Sequence, residues 1–102
     1  MFIAMNRFKI VPGQEEAFEA VWRNRTTRLT EVDGFREFKL LRGATDDAHT
    51  LYASHTIWDS RAAFEAWTRS EHFRAAHASA GDNRGMYLGH PQFEGFETVL
   101  EE

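Results

Sequence analysis

The 102-residue chain contains no cysteine, which removes disulfide cross-links, thiolate metal ligation and thiol nucleophiles at once. Any cofactor must therefore be held by histidine, carboxylate, backbone and apolar groups. Long hydrophobic runs are missing too. The apolar opening from Met1 to Met5 is interrupted by Asn6, Arg7 and Lys9, so it is too short for a signal peptide and far too short to span a bilayer. A cytoplasmic location is expected, with no membrane partner. Clusters of basic residues are also absent, and the formal net charge is -4 with a pI near 5.7, which argues against nucleic acid as the main partner. No HExxH, P-loop, GxGxxG or GxSxG pattern occurs, so zinc hydrolysis, nucleotide binding and serine hydrolase chemistry find no support. The basic residues are nearly all arginine, a type that suits bidentate recognition of carboxylates and phosphates and serves equally as solvated surface.

What is present is enough for one core: 42% of the residues are hydrophobic and 14% aromatic, consistent with a single domain over residues 1–102. From Phe2 to Ile10 the chain alternates, with Phe2, Ala4, Asn6, Phe8 and Ile10 on one side, a period of two that predicts a strand. Pro12 and Gly13 break it, and Gln14, Glu15 and Glu16 open a helix where acidic groups suit the positive end of the dipole. Phe18, Val21, Trp22 and Leu29 recur at helical spacing and carry that helix to about Thr30. Asp33-Gly34 marks a turn into a strand over 35–42, with Phe38 and Leu40 on one side and Phe35 and Leu41 on the other. A polar connection over 43–50 leads to a third strand over 51–58, antiparallel to the second.

Asp59 and Ser60 are both good N-caps for a helix over 61–69 that carries Phe64 and Trp67 three residues apart. Ser70 and Glu71 read as a restart, continuing to about Ser79 with Phe73, Ala76 and His77 along one side. Residues 80–91, rich in glycine and turn formers, read as a loop, and Phe93 to Leu100 as a final strand. The order β-α-β-β-α-β is that of the α+β ferredoxin-like fold, in which two helices cover one face of a four-stranded antiparallel sheet. The opposite face, with Ile3 and Met5, then needs another cover. A second copy of the chain is the simplest one, giving a dimeric α+β barrel.

Three residues stand out as candidates. Asn6 lies among apolar neighbours on the face assigned to the helices, and a buried amide left unpaired costs roughly 1 to 3 kcal/mol. It either bonds to a neighbouring group or projects into a cavity as a donor to a bound ligand or to oxygen. His77 is flanked by Ala75, Ala76 and Ala78, which leave room for something flat and large. It is either an ordinary helix histidine or an axial ligand of haem iron, a role that needs a neutral imidazole and an apolar pocket. Trp67 is either core, one turn from Phe64, or part of the same pocket, brought towards His77 by a break near Ser70. The remaining histidines make no convincing site: His72 and His77 point to different sides of a helix, His49 and His90 fall in loops, and His55 lies in a strand.

Met5-Asn6-Arg7, the stretch Thr56-Ile57-Trp58-Asp59-Ser60 followed by Ala63-Phe64, and above all the run from Trp67 to His77 resemble the short haem-degrading monooxygenases of the IsdG type, within the antibiotic-biosynthesis monooxygenase superfamily. The resemblance covers nearly the whole chain. It implies that Asn6, Trp67 and His77 are the catalytic set, with His77 the proximal iron ligand, Asn6 a hydrogen-bond donor on the distal side and Trp67 pressing on the porphyrin to ruffle it. It further implies a homodimer, haem as both substrate and cofactor, an opened tetrapyrrole and free iron as products, and electrons from a separate reductase. Arg84, in the loop that departs most from the family pattern, is a candidate partner for a haem propionate or simply a surface residue. The competing readings are a cofactor-free monooxygenase of the same superfamily, a haem carrier that never turns haem over, and a small stress-related dimer with no ligand in which Trp67 and Asn6 are merely packed.

Overall fold

The computed structural model describes residues 1–25, 28–70 and 85–102. Within them run β1 (Phe2–Ile10), α1 (Glu15–Arg23), a single 3-10 turn (Leu29–Glu31), β2 (Phe35–Thr45), β3 (Thr50–Trp58), α2 (Arg61–Thr68) and β4 (Gln92–Glu97). The strands form one antiparallel sheet in the order β2-β3-β1-β4, which is the ferredoxin-like arrangement expected from the sequence. β1 and β3 pair along their full length, from Phe2 opposite Trp58 to Ile10 opposite Thr50. Their alternation is strict because the even-numbered residues of both strands face the helices.

The helix-covered face holds two aromatic clusters rather than one. Phe2, Ala4, Leu29 and Trp58 are buried under α2, with Phe64 and Trp67 packed on them. Phe8, Ile10, Phe18 and Tyr52 are buried under α1, with Trp22 beside them. Burying aromatic rings of this size dominates the stabilisation of so small a chain, and ring pairs such as Phe18–Tyr52 at 4.7 Å and Trp58–Trp67 at 5.3 Å contribute beyond their area.

The structure corrects the sequence reading at five places, one of them β4, which runs from Gln92 to Glu97 and stops short of the expected Leu100. α1 ends at Arg23, not near Thr30, because Asn24, Thr26 and Thr27 are poor helix formers in succession; Leu29 reaches the α2 cluster from the 3-10 turn instead. Phe35 joins Phe38 on the helix side, because a bulge between Phe35 and Glu37 resets the alternation of β2 and lets Phe35 pack edge-on against Trp58 at 5.6 Å. β2 and β3 run further into the hairpin than expected, leaving a turn in which the Asp46 carboxylate accepts from the backbone N–H groups of Ala48 and His49. The described end of the expected 80–91 loop pairs with the end of β1: the Val11 N–H donates to Met86 O and the Leu88 N–H to Lys9 O, both at 2.8 Å.

α2 begins and ends as its sequence specifies. The Ser60 hydroxyl accepts from the Ala63 N–H at 3.1 Å, and the Ser70 hydroxyl donates to Trp67 O at 2.6 Å, which closes the helix where the break was expected. Gly34, at φ +83°, makes the turn into β2 and lies so close to α2 that a Cβ there would meet the Cβ of Ala63 at 2.5 Å. On the opposite face of the sheet Ile3, Met5, Leu51, Ala53 and Ile57 are half-buried, while Leu41 and Phe96 are exposed. No helix among the described residues is long and apolar enough to cross a membrane.

Candidate functional site

Asn6 sits at the boundary between the two aromatic clusters. Along β1, Ala4 on one side of it belongs to the α2 cluster and Phe8 on the other to the α1 cluster. Across the sheet its partners are Ser54 on β3 and Phe93 on β4. The result is a polar seam, Asn6 beside Ser54, between two sets of packed rings. Ser54 is buried and Asn6 half-buried. The next polar pair along β3 is spent internally, since the Thr56 hydroxyl donates to Ala4 O at 3.2 Å and accepts from the Trp58 indole at 2.9 Å. Among the described residues Asn6 and Ser54 make no such side-chain bonds.

Trp67 faces the same side of the sheet from α2. Its ring packs on the fully buried Trp58 and lies 6.1 Å from Phe64. Phe64 in turn stacks on Phe93, with centroids 5.5 Å apart and planes 6° from parallel. A continuous aromatic rim therefore runs from Trp67 through Phe64 to Phe93, which is Asn6's neighbour on β4. The core reading of Trp67 holds, and its ring is also a member of this rim. His77, Arg84 and His72 lie outside the described residues. The other histidines are scattered: His49 is held in the hairpin turn by Asp46, His55 is on the open sheet face opposite Met5 and Lys39, and His90 is exposed. Among the described residues no group of three or more His, Asp or Glu side chains is arranged to hold a metal.

Ser54 and Phe93 were not singled out by the sequence. The alternation of β3, counted back from Trp58, places Ser54 on the helix side, but its opposition to Asn6 depends on strand register. A second opening, a groove of about 450 Å³, lies between α1 and the β2–β3 hairpin, lined by Glu19, Trp22, Phe38, Leu40, Arg42 and Tyr52. Apart from the buried indole N–H of Trp22, which has no hydrogen-bond partner among the described residues, the groove's polar groups are mutually engaged. Glu19 accepts from the Tyr52 hydroxyl at 2.5 Å and pairs with Arg23 at 3.1 Å and Arg42 at 3.6 Å. Burial, reinforced by that carboxylate, pushes the Tyr52 phenol up to about 12. The carboxylate, phenol and guanidinium groups of the groove thus satisfy one another.

The four-stranded antiparallel sheet with helices on one face is a ferredoxin-like α+β domain. Residues 1–79 match the antibiotic biosynthesis monooxygenase family, and the chain belongs to that family. It is 26% identical over 77 residues to a staphylobilin-producing haem oxygenase of Staphylococcus haemolyticus, covering 76% of this chain and 73% of that protein. Among solved structures it is similar to a mutant of MhuD with two manganese protoporphyrin IX molecules bound per active site, at a TM-score of 0.79 and 25% identity over 100% of this chain and 98% of that one. It also shares the fold of SnoaB, a cofactor-independent oxygenase from Streptomyces nogalater, at a TM-score of 0.71 and 21% identity over 98% and 94% of the two chains.

Proposed function

We propose that this monooxygenase-family chain degrades haem, binding it between α2 and the helix-covered sheet face, opening the porphyrin with O2 and external electrons, and releasing iron and a bilin-type product. The observation that carries the reading is the seam at Asn6: an amide donor set beside a rim of aromatic rings, which is the chemistry a flat apolar macrocycle with a polar centre requires. Similarity to a haem oxygenase and to a porphyrin-bound structure adds to it.

Haem, when bound, supplies the iron that activates oxygen and is itself the substrate. The chain's own residues then have distinct tasks. Asn6 offers an N–H donor fixed to a central strand, so its position is set by β1's hydrogen bonds to both neighbours. Trp67 is braced from behind by the buried Trp58 and would press on a bound porphyrin as a rigid wall. His77 takes the proximal ligand role by its match to the family motif. Electrons come from a reductase partner.

A homodimer and a cytoplasmic setting complete the reading. The open face pairs apolar residues, Ile3 with Ile57 and Phe96, with charges of both signs, Arg7 against Glu94 and Lys39 against Glu37. A surface that balances its own charges suits a second copy of itself.

The test is an absorbance titration of the purified protein with haemin, followed by ascorbate in air with catalase present. Saturable growth of a Soret band, its later loss and release of iron to a chelator are expected. Binding without loss indicates a carrier, and no Soret change indicates a cofactor-free monooxygenase.

A further inference from the structure

β4 presents only one large side chain towards the helices. Glu97 is exposed, and Gly95 carries none because the buried ring of Phe2 occupies its place, so close that a Cβ at Gly95 would meet Phe2 Cζ at 2.7 Å. That leaves Phe93, directly opposite Asn6. Its ring lies flat on Phe64, yet the residue is 50% exposed, so one side is committed to α2 and the rest is open. The two rings are held from below by Phe2, which packs on Phe64 at 5.4 Å.

Resting on the haem reading above, we infer that Phe93 is a specificity-determining residue, the wall that fixes the in-plane rotation of the bound porphyrin relative to Asn6. Asn6 and Phe93 are neighbours on adjacent strands, about 5 Å apart at their Cα atoms by sheet geometry, so a ring that accepts from the amide must also rest against the phenyl group. The rotation of the macrocycle against that wall selects which bridge carbon of the tetrapyrrole faces the site of attack. Phe93 neither ligates iron nor donates a proton. It acts by contact with the substrate.

The experiment compares the wild-type protein with Phe93→Ala, Phe93→Leu and Phe93→Tyr, reading the haemin Kd from the Soret band, the regioisomer ratio of the opened tetrapyrrole by chromatography, and the melting midpoint. Losing the aromatic contact is expected to raise Kd about 3- to 10-fold and change the isomer ratio in the Ala and Leu proteins, while Tyr restores both. Leu keeps an apolar side chain on β4 and so separates loss of the ring from loss of the fold. A Kd within twofold and an unchanged isomer ratio in the Leu protein would overturn the inference while leaving haem degradation intact. A wild-type protein that never binds haemin would overturn the functional reading, and this inference with it.

Discussion

Asn6 and Ser54 face each other across β1 and β3, and together they lie between the two aromatic clusters of the interior. Phenylalanine at position 6 would fuse the two clusters into one core. An amide there is a departure from the pattern that builds the fold, and such departures mark the places where function overrides packing.

Replacing Asn6 with alanine therefore separates binding from turnover. Haemin affinity should stay within about threefold, since the aromatic rim is untouched, whereas the rate of Soret loss under ascorbate should fall about a hundredfold, the lower end for removal of one preorganised donor. The melting midpoint should not drop, because the half-buried amide leaves no partner behind. Haem degradation at the wild-type rate would remove Asn6 from the mechanism.

His77→Ala addresses the ligand role directly. Loss of the axial imidazole should shift and weaken the Soret band and raise the haemin Kd by about tenfold or more. Added imidazole should restore the band. If the substituted protein gave the wild-type spectrum, another group would be the ligand.

Among the described residues, the order and type of every element except the 3-10 turn were legible in the sequence, because alternation in β1 and β3 and the caps around α2 are local signals. Phe35 was placed on the wrong side because a bulge is a property of two paired strands, invisible in one. The extent of α1 was overestimated because Leu29 continues its helical spacing while reaching the core by another route. Of the site, Asn6 was legible as a polar residue in an apolar series and Trp67 as an aromatic at helical spacing. Phe93 and Ser54 were not, since their importance comes from being opposite Asn6 in a register that only the folded sheet defines.

Gly34 tests how tightly α2 is held against the turn before β2. Gly34→Ala meets both a left-handed backbone and the Ala63 Cβ, so a loss of about 1–3 kcal/mol is expected from the backbone, with a further penalty from the overlap. Gly13, at φ +91° with nothing near its absent Cβ, supplies the control: Gly13→Ala should show the backbone cost alone. Chemical denaturation of the two proteins measures the difference. Equal losses would mean that α2 moves aside freely.

The proposed dimer can be broken from the open face. Ile57 pairs with Ile3 at the centre of the sheet, and Ile57→Lys would bury an unpaired charge against a second copy. Sedimentation should show a dimer for the wild type and a monomer of about half the mass for the variant, with circular dichroism unchanged. A wild-type monomer would leave the apolar face without the cover assigned to it.

Alkaline stability provides the last test, through Tyr52. Its phenol is raised from 10 to about 12, chiefly by burial and then by its hydrogen bond to Glu19, so the fold favours the neutral form. A folded value above the unfolded one means that the contribution to stability is complete below pH 10 and is lost as pH rises through about 12. Tyr52→Phe removes the titrating group along with the Glu19 bond. It should cost about 1 kcal/mol near neutrality and should make the fall in melting midpoint above pH 10 shallower than in the wild type. Tyr87, also raised by burial, leaves a residual slope. Parallel profiles for the two proteins would show that the Tyr52 phenol ionises in the folded state as readily as in the unfolded one, and that Glu19 does not hold it neutral.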